Sequence, residues 1–368
     1  MKWIIGVWCL GLYPKYFKLS IEVDLFETLG SFFMEKILKR FGNLIEKITL
    51  SENMFMAFKE AKKGKANKKK VYDFELNLGD NISYLIKSII NGTYKPKPYK
   101  KFLVREPKER IIYAPAFEDV VVQHAIYRII YPIFERTFIT QSHGCRKNYG
   151  THSASRYLQK SLKKYDENLY YLQLDIKKYF YSFDRNILKS MLEKKIKDKK
   201  FIELIMIFTT YGEEKGVPIG NLLSQLFGLI YLNPLDHYVK RDLKIKNYVR
   251  YVDDFILIGI TLSEAKEYKK KIENFLLDNL GLTLSKFTIA KIKRGSNFVG
   301  YRTWQNYKLV RKHSMYNFRR ACKKEKIESI VSLIGHAKET KTIEYYKKIL
   351  TEYNLINKIP CKVKTVFK

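Results

Sequence analysis

Apolar residues recur along the chain with two different periods, and the changes between them mark its elements. From Asn81 to Asn91, Ile82, Leu85, Ile86 and Ile89 share one face of a 3.6-residue repeat. That predicts a helix stopped by Gly92-Thr93-Tyr94. Tyr94 to Pro98 is Pro-rich and reads as extended. Phe102 to Ala114 predicts two short strands around Glu106-Pro107-Lys108-Glu109, and Asp119 to Phe134 predicts a buried helix ending before Arg136. Tyr170 to Ile176 is a compact apolar strand. Asn186 to Tyr211 and Asn221 to Arg241 read as helices, Tyr248 to Ile258 as a β-hairpin, and Leu262 to Leu280 as a helix with a basic outer face. Short strands follow over Thr283 to Tyr301, then basic helices over Met315 to Leu355. Strands in the middle with helices on the flanks predict an α+β fold. No internal repeat is visible.

Two segments fit this pattern less well. Trp3 to Tyr13 is an apolar run after Lys2. It is too short to span a bilayer and is followed by no clear small-residue cleavage site. A helix-like stretch begins at Met34, so the first 33 residues read as an extension or a misplaced start. Lys59 to Lys70 (KEAKKGKANKKK) reads as a solvated, mobile stretch.

Composition narrows the partners. The 368 residues carry 70 Lys+Arg against 37 Asp+Glu, a formal net charge of +33, and 46% are apolar. The chain can therefore bury a real core, and it carries an excess of positive charge that a polyanion would offset. Nucleic acid is the first candidate and an anionic membrane surface the second. The 28 Tyr and 23 Phe add the flat rings on which bases stack, although many of them also suit a core. Cys9, Cys145, Cys322 and Cys361 form no CxxC pair, which suggests neither a zinc site nor a disulfide framework and fits a reducing cytoplasm. No stable membrane association is expected.

The chemistry is concentrated in Tyr251-Val252-Asp253-Asp254, between strand-like flanks. Hairpin turns favour Asn-Gly or Asp-Gly, and here two like charges stand together with no glycine. Adjacent carboxylates repel unless a cation lies between them, and Mg²⁺ prefers carboxylate oxygen. Asp175 ends the strand Tyr170 to Ile176 and supplies a third acid. Three acids can hold two Mg²⁺ ions about 3.5–4 Å apart, a clamp for phosphoryl transfer; Mn²⁺ is a possible substitute. Asp184 reads instead as a helix cap before Asn186.

Taken together, these segments resemble the motifs of reverse transcriptases. Asp175 with Phe180 resembles motif A, Gly216 to Gln225 motif B, Tyr251 to Asp254 motif C, Lys286 motif D, and Phe298-Val299-Gly300-Tyr301 the primer grip. The resemblance covers about Asn81 to Tyr301. It implies a right-hand polymerase fold: fingers over residues 50–165, a palm with an antiparallel sheet over 166–300 (including part of the fingers between motifs A and B), and a short basic helical thumb over 301–368. Residues 1–49 would be an N-terminal extension and a leading helix. Asp175, Asp253 and Asp254, with Ile176 beside them, would hold metal, and Lys286 would protonate the leaving pyrophosphate. Lys108 and Arg110 would grip the triphosphate. Phe180 would exclude a 2′-hydroxyl, and Gln225 would bond template or nucleotide. Arg146 would contact the template backbone. Gly220, Ser224 and Gly228, at i, i+4 and i+8, would form a narrow helix face under a base pair. Tyr251, Phe298, Gly300 and Tyr301 would contact template or primer.

Within that family, Gly220-Asn221-Leu222-Leu223-Ser224-Gln225 and Tyr231-Leu232-Asn233-Pro234-Leu235-Asp236 are similar to the enzymes of diversity-generating retroelements. So are Ile111 to Asp119, Val121 to His124, and Ile334 to Ala337. That likeness implies an RNA template repeat, a DNA or RNA primer, deoxynucleoside triphosphates, misincorporation opposite adenine and a small basic accessory protein. Asp119 is followed by Val120, where that family usually has Arg. Bacterial antiviral defence reverse transcriptases share much of the core and are the alternative. A basic RNA-binding protein on a degenerate polymerase core is the non-enzymatic one.

Overall fold

A computed structural model describes residues 40–105 and 109–367. The apolar run at Trp3, the stretch beginning at Met34 as far as residue 39, and Lys108 lie outside them.

The leading helices α1 (Leu44–Thr49), α2 (Ser51–Lys62), α3 (Lys69–Leu76) and α4 (Leu78–Ile90) turn their apolar faces, including Ile48, Met54, Phe58, Val71, Leu85 and Ile89, into a large shared core. The Lys-rich stretch is therefore not uniformly mobile. Lys59 to Lys62 close α2, Lys69 and Lys70 open α3, and Lys62 is ion-paired with Glu75 at 2.5 Å. Strands β1 (Lys100–Val104) and β2 (Arg110–Ala114) form an antiparallel hairpin. Next come α5 (Phe117–Glu135) and α6 (Thr151–Leu162). Helix α6 was not anticipated, because its face of Ala154, Ser155, Leu158 and Leu162 is built partly of small residues.

The centre is a four-stranded antiparallel sheet in the order β4-β5-β3-β6, from β3 (Tyr170–Ile176), β4 (Asn247–Tyr251), β5 (Asp254–Ile260) and β6 (Leu284–Lys291). Side chains alternate across it. Leu172, Leu174, Ile176, Phe255 and Leu257 point into the large core, with α9 (Leu222–His237) and α10 (Leu262–Leu280). On the other face, Tyr171, Val249, Ile256 and Ile258 pack on α6 and on Phe298. Gln173, Asp175 and Asp254 continue that second face and are only partly buried.

The expected long helix from Asn186 to Tyr211 is two helices, α7 (Arg185–Glu193) and α8 (Lys199–Met206). Asp198 ends the continuity. Its carboxylate caps α8 at the Phe201 N–H and also accepts from the Leu44 and Ile45 N–H groups. Asp184 caps α7 as expected, accepting from the Asn186 and Ile187 N–H groups. A second antiparallel sheet, β7 (Ser296–Phe298), β8 (Tyr301–Thr303) and β9 (Lys308–Val310), leads to helices α11 (Lys312–Lys323), α12 (Ile327–Ala337) and α13 (Thr342–Glu352). These helices have a core of their own, with Phe318 and Tyr346 stacked at 3.6 Å between ring centroids. The architecture is the α+β right hand of fingers, palm and thumb. Among the described residues no helix is long and apolar enough to cross a membrane.

Candidate active site

Register builds the site. Tyr251 pairs with Asp254, Asp254 with Asp175, and Asp175 with Lys286, so one transverse row crosses all four strands. Directly paired residues of an antiparallel ladder have side chains on the same face. Two acids and a lysine from chain positions far apart therefore share one face. Asp253 lies in the two-residue loop between β4 and β5. Asp254 is the first residue of β5 rather than a turn residue, so the acids do not both occupy the turn. The loop's positive φ falls on Val252, at 58°, a conformation in which a β-branched side chain is strained.

Several contacts hold that loop in place. Beneath the sheet, Arg250 and Asp236 form a fully buried ion pair: Nε donates to Oδ1 at 2.7 Å and Nη2 to Oδ2 at 2.5 Å. Nη1 donates to the Val252 carbonyl at 2.9 Å, and the Tyr248 hydroxyl donates to Asp236 Oδ1 at 2.8 Å. Burial works against the Arg250 charge, but Asp236 more than offsets it and holds the guanidinium above its ordinary pKa. From the side, the 141–146 loop pairs with β4 through the His143 N–H to the Arg250 carbonyl at 2.9 Å. A Cβ on Gly144 would stand 2.6 Å from the Val252 nitrogen, so only glycine fits there.

Side-chain bonds engage two of the acids. Ser285 Oγ donates to Asp175 Oδ2 at 2.5 Å, and Gln173 Nε2 donates to Asp254 Oδ1 and Oδ2 at 2.9 and 3.2 Å. Burial pushes Asp254 up to about 7. The Gln173 bond opposes that rise, and the Asp175 and Asp253 charges add to it. Among the described residues, no three His, Cys, Asp or Glu side chains already close up as a metal cage. The donor set nevertheless suits a hard divalent cation: carboxylate oxygens from adjacent strands, one of them raised by burial among like charges.

The nucleotide residues divide. Phe180 sits in a 3₁₀ turn and packs on α9, where a Cβ on Gly228 would lie 3.2 Å from its ring. The neighbouring Tyr179 hydroxyl donates to the Gly228 carbonyl at 2.6 Å. Gln225 is exposed on the same helix, whereas Ser224 is buried. Gly220 precedes α9, so the three small residues do not form one helix face. It has φ 122° and faces the Tyr113 carbonyl, and the Tyr113 N–H bonds Ile219 O at 2.7 Å. That contact fastens β2 to the start of motif B, with Arg110 exposed at the far end of the strand.

Three expected template or primer contacts are spent inside the protein. Arg146 is buried against Glu135 at 2.6 Å, donates to the Ile139 and Ser142 carbonyls, and stacks on Tyr149 at 4.2 Å. It closes the loop that carries Gly144 instead of reaching outward. Phe298 and Tyr301 are fully buried, and the Tyr301 hydroxyl donates to the His336 carbonyl at 2.8 Å. Of that motif, the turn at Val299 and Gly300 is less buried. Tyr251 is partly buried against the α6 side. Asp119 bonds the Tyr94 hydroxyl at 2.6 Å and the Lys97 N–H at 3.0 Å, an internal role that needs no basic neighbour at position 120. Sequence reasoning missed Asp236, Arg250 and Gln173. The Arg directly before the Tyr-Val-Asp-Asp run was the one available signal.

An antiparallel sheet presenting acids and a lysine in one row is the arrangement that the polymerase-like motifs of the sequence imply. The reverse transcriptase (RNA-dependent DNA polymerase) family profile matches residues 96–303, more than half of the chain, and the chain belongs to that family. The group II intron-encoded protein LtrA of Lactococcus lactis subsp. cremoris is 31% identical over 179 residues, 45% of this chain and 29% of that protein. Protein YkfC of Escherichia coli is 25% identical over 289 residues, 66% and 74% of the two chains. The match thus spans under a third of LtrA. The apo telomerase of Candida tropicalis superposes with a TM-score of 0.46 at 17% identity, covering 77% of this chain and 63% of that one.

Proposed function

We propose that the chain copies an RNA template into DNA by attack of a primer 3′-hydroxyl on the α-phosphate of a deoxynucleoside triphosphate. The observation that carries this reading is the row Tyr251, Asp254, Asp175 and Lys286 across the sheet. Asp175, Asp253, Asp254 and the main-chain oxygen of Ile176 would hold two Mg²⁺. When bound, they supply charge stabilisation for the attacking and leaving oxygens. The chain's own groups do the rest. Lys286 gives a proton to the departing pyrophosphate. Arg110, with Lys108, offsets charge on the phosphates. Phe180, backed by Gly228, leaves no room for a 2′-hydroxyl. Gln225 is exposed and free to bond template or nucleotide.

Primer extension on poly-rA/oligo-dT with Mg²⁺ tests the activity. Extension by the wild type that Asp253→Ala and Asp254→Ala abolish is expected; equal extension by those variants overturns it. We further infer a diversity-generating retroelement role from Gly220-Asn221 to Ser224-Gln225 and Tyr231 to Asp236. In that role an RNA repeat is the template, copying is error-prone at adenine, and a small basic protein assists. Flanking DNA carrying a near-duplicate repeat that differs at adenines supports this; a neighbouring toxin or non-coding RNA gene in its place supports a defence role.

A further inference from the structure

We propose that Gln173 is a positioning residue that couples the β7–β8 hairpin, whose less buried Val299-Gly300 turn would meet the primer, to Asp254, so that primer engagement and divalent-cation binding reinforce each other. The inference rests on the polymerase reading above.

Gln173 lies two residues before Asp175 on β3 and so shares its face of the sheet. Its single amide group joins two separate structures. Nε2 donates to both carboxylate oxygens of Asp254, at 2.9 and 3.2 Å, and to the Asn297 carbonyl at 3.0 Å. On the other end, Oε1 accepts from Ser296 Oγ at 3.5 Å. Asn297 and Ser296 belong to β7, the strand that leads directly into the Val299-Gly300 turn. An amide nitrogen has two N–H groups, and both are used: one shared by the carboxylate, one given to the hairpin carbonyl.

This division of donors explains why the residue is glutamine. Leucine or methionine in its place would leave the Asp254 carboxylate and the Asn297 carbonyl without this donor. Glutamate would add a fourth carboxylate to the cluster. Asparagine is one methylene shorter and cannot span both partners. Any displacement of β7 moves the amide, and the amide moves the carboxylate. A primer end that fixes the hairpin therefore fixes Asp254. By thermodynamic linkage, a cation that fixes Asp254 must tighten primer binding by the same factor.

The test separates this coupling from the polymerase reading. Mn²⁺ binding is titrated by electron paramagnetic resonance on the whole chain, with and without a dideoxy-terminated primer–template, so that no turnover occurs. The wild type is expected to bind Mn²⁺ about 5-fold or more tightly with primer–template present, the lower end of ordinary coupling. Gln173→Met and Gln173→Asn, each checked for wild-type circular dichroism, are expected to bind Mn²⁺ equally with and without it. A coupling of wild-type size in either folded variant overturns the proposal while leaving the polymerase reading intact. So does a wild type that extends primers yet shows no coupling. A wild type that extends no primer overturns both.

Discussion

Replacing Arg250 by Met removes a guanidinium that is wholly buried with Asp236. The variant loses two charge-assisted bonds to Asp236 and the bond to the Val252 carbonyl. It keeps a similar volume but leaves the Asp236 carboxylate buried beside the Tyr248 hydroxyl without its counter-charge. Breaking a buried pair from one side costs about 3–5 kcal/mol. Set against a total stability of about 5–15 kcal/mol, that is a large fraction. Urea unfolding followed by circular dichroism measures it as a lower midpoint. The double variant Asp236→Leu, Arg250→Met removes both charges and is expected to regain most of the loss. It is not expected to regain primer extension, because the Val252 carbonyl of the strained loop still lacks its Arg250 donor. A single variant that costs under about 1 kcal/mol refutes the strut, given that removing one partner of such a pair is strongly destabilising. A double variant with wild-type extension refutes its role in holding the loop.

Phe180→Val opens the space under the sugar. Discrimination against ribonucleotides, read from paired primer extensions, is expected to fall at least tenfold (about 1.4 kcal/mol); unchanged discrimination refutes the gate. Gly228→Ala places a methyl 3.2 Å from the Phe180 ring and is expected to raise KM for deoxynucleotides, with little change in unfolding midpoint; an unchanged KM shows that the ring yields freely. Asp184→Ala removes the cap of α7 and is expected to cost about 1 kcal/mol in urea unfolding, with no effect on extension. Burial holds His143 down at about 4, against an unfolded value near 6.5. The folded form therefore binds fewer protons between those values. The stability that the neutral ring contributes is complete above about pH 6.5 and is lost as pH falls toward 4. A His143→Gln variant should show a flatter decline in melting temperature across that window, and an identical slope would exclude His143 as the source.

Local order and chemical type were legible from the chain. The strand Tyr170–Ile176 and the helix Leu262–Leu280 have the predicted bounds, because alternation and 3.6-residue periodicity are encoded within a few neighbouring residues. The acids were legible too, since two adjacent carboxylates between apolar strands break a local rule. What polarity alone could not reveal was direction. Arg146 read as a template-backbone contact and Arg250 only as part of the flank of the acids, yet both are buried on carboxylates 11 and 14 residues away in sequence. Phe298 and Tyr301 belong to a contact motif but are packed inside. Gln173 looked like one polar residue in a strand until pairing brought it to Asn297, 124 residues on. The chain fixes which groups are present and their local period; only the pairing of distant strands decides which of them face a substrate and which hold one another.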